Sequence, residues 1–91
     1  MQIDYLPGSF WIRTGLDDLA AGAMTEAALL VLVGAPRLRR IGIAVPDIRI
    51  DRVEHQLYAL LAREDTDSAH SRYNALIRSL VSFERAAECG G

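Results

Sequence analysis

Two histidines, a cluster of arginines and three aromatic side chains are the residues here whose types suit binding or chemistry. His55 follows Asp51 by four positions, and His70 follows Asp67 by three. Such spacing puts an acid and an imidazole on one side of a helix, as a metal site requires. The helical phase argues against a site. His55 projects opposite the apolar stripe of its own segment, and His70 lies at the flank of its stripe. In a helical hairpin the two would stand roughly 9 Å apart along the axis. Ser71 beside His70 makes no productive pair, because neighbouring helix positions point apart. No glycine-rich phosphate loop and no nucleophile–His–acid order is visible. The expectation is a protein that is not an enzyme, with no catalytic residue, metal or cofactor.

Arg37, Arg39, Arg40, Arg49 and Arg52 fall within sixteen residues whose only acids are Asp47 and Asp51. A helix, a glycine-containing turn and a short basic helix have the outline of a helix-turn-helix. These arginines are therefore the candidates for contact with nucleic acid or with an acidic partner. The short basic segment carries no Asn or Gln to read bases. Nucleic acid is accordingly the alternative partner, behind protein. Tyr5, Phe10 and Trp11 are the candidate anchors for a protein partner, since aromatic side chains dominate interface energetics. Glu84 is the one charged residue well inside the apolar stripe of its helix. The expectation is that this helix end runs past the core into water. The competing reading is a partly buried pair with Arg49 or Arg52, next to Asp47.

Ninety-one residues make one domain. The apolar fraction of 51% supports a modest core, and the net charge of −2 recruits neither nucleic acid nor an anionic membrane. All ten basic residues are Arg, which fits a GC-rich, bacterial coding sequence. The one cysteine, Cys89, allows no intrachain disulfide and fits a cytoplasmic setting. No basic region precedes an apolar run at the start, so no signal peptide is expected. The most apolar run, residues 27–33, is far shorter than the ~20 residues of a membrane span.

The elements that must position these residues follow from periodicity. Residues 67–88 carry the clearest helical pattern, with Ala69, Tyr73, Leu76, Ile77, Leu80, Phe83 and Ala87 on one face. Residues 50–64 form a second amphipathic helix on Ile50, Val53, Leu57, Leu60 and Leu61. The two stripes are out of phase by roughly 140° if the helix is continued straight through. Residues 65–68 are also rich in capping residues. An αα-hairpin turning at about residues 64–67 is predicted, with Leu61 opposite His70. Residues 14–34 read as an apolar helical region, started by Thr14 with Asp17. It is either one helix or two with a break near Gly22 and a new cap at Thr25–Glu26. Gly34 takes a left-handed stop, Pro36 opens a short helix over 36–42, and 43–45 is extended. Residues 1–13 form an arm around a Pro7–Gly8 type II turn, either a small β-hairpin or an extended strap.

The reading is a small all-α domain with a C-terminal αα-hairpin packed on an apolar helix. The alternative is α+β, if residues 41–50 form a strand beside the arm. The candidate core is Leu19, Met24, Leu29, Leu30, Leu32, Ile41, Ile50, Val53, Leu57, Leu60, Leu61, Tyr73, Leu76, Ile77, Leu80 and Phe83. Residues 89–91 are expected as a flexible tail. Leftover apolar stripes point to a homodimer. The expected function is a cytoplasmic protein-interaction module or adaptor acting through a helical surface, with no membrane partner.

Overall fold

Residues 5–90 are described in the computed structural model. The first four residues of the expected arm, and Gly91 of the expected tail, lie outside them. The described chain is all-α: helices α1 (Ser9–Ala20), α2 (Glu26–Val33), α3 (Ala35–Arg40), α4 (Val53–Glu64) and α5 (Ala69–Gly90), with no strand among the described residues. None of these helices is long and apolar enough to cross a membrane.

Helix α2 is the centre. Its sequence EAALLVLV has no polar face beyond Glu26, and Ala27 through Leu32 are all buried. A helix apolar all round must be covered on every side. Helices α1 and α4 pack on it most extensively, and α3 and α5 also touch it. Its start is cut by local chemistry. Gly22, at φ 78, ends α1, with Ala23 N–H bonding Asp18 O (2.8 Å) and Gly22 N–H bonding Leu19 O (3.1 Å). This is a Schellman stop. Thr25 Oγ1 then accepts from Ala28 N (3.2 Å) and caps α2. Of the two alternatives the sequence leaves open, one helix or two, the structure has two, broken at Gly22 with the new cap at Thr25.

The arm differs from expectation. Pro7–Gly8 does form the type II turn: Gly8 sits at φ 76, ψ 1, and Ser9 N–H bonds Leu6 O at 3.1 Å. The chain then leaves as a helix, not as a strand, so residues 9–13 belong to α1 and Thr14 caps nothing. The reason is packing. Ile12, Gly15 and Leu19 repeat at helical spacing and are buried. A strand there would turn Ile12 and Leu19 to different surroundings. The helix is seated closely. A Cβ on Gly15 would stand 2.3 Å from Ala27 O and 2.4 Å from Val31 Cγ2.

The second possible strand is also absent. Residues 43–50 are irregular, with Ile43 and Val45 buried. With residues 9–13 helical, no strand among the described residues is there to pair with them. Part of their backbone is satisfied by Arg39, whose Nη2 donates to Val45 O (3.2 Å) and Pro46 O (2.9 Å). Gly34 is not left-handed but lies at φ −90. Its lack of a side chain serves packing instead, since a Cβ would approach Leu80 Cδ1 to 2.7 Å.

The αα-hairpin forms as predicted. Ser68 O accepts from Arg72 N (2.9 Å) at the start of α5, and Asp65 Oδ1 accepts from Asp67 N (3.1 Å) in the turn. Tyr58 of α4 meets Tyr73 of α5 with ring centroids 5.6 Å apart, which fits the expected register. Leu57, Leu61, Leu76, Leu80 and Phe83 are buried. Met24, expected in the core, is 41% exposed because it sits in the α1–α2 turn. Ile41, Ile50, Val53, Leu60, Tyr73 and Ile77 are half-buried against the core. Helix α5 runs through Gly90, so Cys89 lies in its last turn, not in a loose tail.

Gly15→Ala tests the α1–α2 contact. Helix propensity alone would favour Ala by about 1 kcal/mol. The Cβ would instead collide with backbone, and a net loss of about 2 kcal/mol in urea unfolding is expected. An unchanged or raised stability would show that α1 does not sit this close to α2.

Candidate functional site

Helix α1 positions the aromatic candidates. Phe10 and Trp11, in its first turn, meet edge to face with ring centroids 5.5 Å apart and an interplanar angle of 82°. Trp11 is half-buried against the core, whereas Phe10 is 68% exposed. Tyr5 is 85% exposed, outside the helix. Phe10 and Trp11 border an open groove of about 480 Å³ that runs between α1, the α1–α2 turn and α4. Met24, Ala27 and Leu60 continue its apolar lining, and Asp18, Glu26 and Glu64 are its charged residues. A smaller cleft of about 220 Å³ adjoins it, sharing Trp11 and Glu26 and extending to Arg72, Leu76 and Ser79 of α5.

The charges are linked. Arg72 Nη2 donates to Glu26 Oε1 (3.0 Å) and Oε2 (3.1 Å), while its Nη1 stands 3.6 Å from Glu64 Oε2. One guanidinium therefore serves two carboxylates. Burial pushes the Glu26 carboxyl above its ordinary value, and the adjacent Glu64 adds to this against the pull of Arg72. Asp18 Oδ2 accepts a hydrogen bond from Thr25 Oγ1.

The arginine cluster is divided by the fold. Arg37 on α3 faces α5, donating from Nε to Glu88 and from Nη1 to Glu84 (3.5 Å). Arg39 is turned onto the 45–46 carbonyls. Arg49 lies near Asp47 (3.7 Å), both fully in solvent. Arg40 is exposed. Arg52 is exposed and holds a left-handed backbone at φ 54 before α4. The short basic helix thus spends two of its arginines, Arg37 and Arg39, on its own protein.

His55 and His70 are exposed, and His70 Nε2 lies 3.2 Å from Asn74 Nδ2. Among the described residues no three His, Cys, Asp or Glu side chains are grouped to hold a metal.

Glu84 corrects the expectation of a helix end in water. It is only 4% exposed and packs against Gly34 at the α2–α3 junction. Its partner is Arg37, not Arg49 or Arg52. Burial pushes its carboxyl up, outweighing Arg37, because the shorter Arg37 bond goes to Glu88. That same bond holds the Glu88 carboxyl below its ordinary value.

The groove itself was missed from sequence. Met24 reads there as core, and Glu26 and Arg72 are separated by 46 positions. The one available signal was an acid, Glu26 or Glu64, flanking each apolar helix. The chain matches no protein-family model, no curated protein and no solved structure.

Glu84→Gln tests the buried carboxyl. A group whose folded pKa is raised contributes fully to stability below its unfolded pKa. That contribution falls as pH rises through the folded value. The variant is expected to unfold at higher urea than the wild type at neutral pH, with the gain vanishing near pH 4, about the ordinary carboxylate pKa. A loss at neutral pH would mean that the Arg37 pair outweighs burial.

Proposed function

We propose that the protein is a small interaction module or adaptor that takes an apolar helical segment of a partner protein in the α1–α4 groove. The observation that carries this reading is Phe10, 68% exposed at the groove's edge and in edge-to-face contact with Trp11. An aromatic ring left in water contributes little to the fold. Rings presented beside Met24 and Leu60 have the make-up of an interface anchor. Trp11 combines two roles, packing inward on the core and outward on the groove. Phe10 is therefore the cleaner test residue. The free thiol of Cys89 and the absence of a membrane-crossing helix among the described residues support a cytoplasmic setting.

The nucleic-acid alternative gains no support from the arginines, since Arg37 and Arg39 are already engaged by Glu84, Glu88 and the 45–46 carbonyls.

Replacing Phe10 with the photo-crosslinker p-benzoylphenylalanine in the native host is expected to give one discrete adduct with another protein. The adduct should survive nuclease and disappear in a Met24→Asp background. Phe10→Ala is expected to cut capture at least tenfold, while stability stays within about 0.5 kcal/mol. Irradiation that yields no protein adduct would overturn the reading.

A further inference from the structure

The charged residues lining the α1–α4 groove are all acids. Asp18, Glu26 and Glu64 stand beside the apolar wall of Phe10, Trp11, Met24 and Leu60. Among the described residues one cation is paired with them, Arg72 from the adjoining cleft, and it is shared between Glu26 and Glu64. Asp18 accepts a hydrogen bond from the neutral hydroxyl of Thr25 and has no ion pair among the described residues. Among the described residues, three carboxylates against one guanidinium leave the groove electronegative. The Glu64 side chain is 50% exposed, open to a second cation from outside. Complementary charge of this kind selects partners and sets register more than it adds affinity.

We propose that the occupant of the groove is an amphipathic helix of a partner protein that carries Lys or Arg along the edges of its apolar face. The apolar face covers Phe10, Met24 and Leu60, and the flanking cations pair with Glu64 and Asp18. This rests on the reading of the groove as a docking surface and adds the chemistry of what docks there. A second copy docked groove to groove would set acid against acid. An acidic helix and a nucleic-acid phosphate backbone meet the same repulsion.

The test uses two designed helical peptides with an identical Leu/Ala face, one flanked by Lys and one by Glu. Both are titrated into the full chain, with emission from Trp11, its single tryptophan, as the readout. The Lys helix is expected to bind at least tenfold more tightly than the Glu helix, with the gap narrowing as salt rises. Glu64→Gln and Asp18→Asn should each weaken the Lys helix by about fivefold, with unchanged helical circular dichroism. Phe10→Ala should weaken both peptides. Equal binding of the two peptides would overturn the charge assignment and leave the groove reading standing. A Trp11 signal that moves with neither peptide would overturn both. Sedimentation as a dimer that Phe10→Ala dissolves would identify a second copy as the occupant and overturn the proposal.

Discussion

The burial of α2 is the constraint from which the arrangement follows, because a segment reading AALLVLV after its first glutamate has nothing to show to water. Every other helix supplies part of its cover. The cover on one side is α1, and it comes so close that only a residue without a side chain fits at position 15. A single hydrogen-bonded stop at Gly22 and a single cap at Thr25 turn the chain between the two helices. The cost of a glycine inside α1, about 1 kcal/mol of propensity, is offset by the apolar surface that the close approach buries.

Seating α1 against α2 also creates the groove. The buried face of α1 is Ile12, Gly15 and Leu19, so its neighbours Phe10 and Asp18 are left towards the groove side, beside the turn that carries Met24. Helix α4, on another side of α2, contributes Leu60 and Glu64. The arrangement that solves the burial problem thus leaves a strip of apolar surface that no part of the described chain covers. Of its acids, Glu26 also serves the α2 start, where it favours the helix dipole and meets Arg72 from α5.

The other end of the molecule is held differently. There α5 reaches back over the α2–α3 junction, and Glu84 is taken out of water against Gly34. Arg37 sits between Glu84 and Glu88 and shares its charge with both. A buried carboxylate facing one half-exposed guanidinium adds little to stability, but it ties α5 to α3. Arg39 does similar work for the irregular 43–50 segment. Two of the five arginines of this region, Arg37 and Arg39, are thus engaged within the described chain, while Arg40, Arg49 and Arg52 are exposed.

Much of the fold is legible in the sequence. The αα-hairpin follows from the phase shift between two apolar stripes, and the α1–α2 break from Gly22 and Thr25. The buried character of α2 follows from its having no polar face. These signals act within a few residues, through φ preferences, capping oxygens and helical period, so no knowledge of distant chain is needed. The arm, the Glu84 partner and the groove were decided only by tertiary structure. Whether residues 9–13 become helix depends on α2 being available to receive Ile12. Whether Glu84 meets water depends on α3, 47 positions away, and Glu26 meets Arg72 across 46. A local pattern says which side chains must be covered. Which surfaces meet, and which strip is left open, is settled only when all the helices compete to cover the same apolar one.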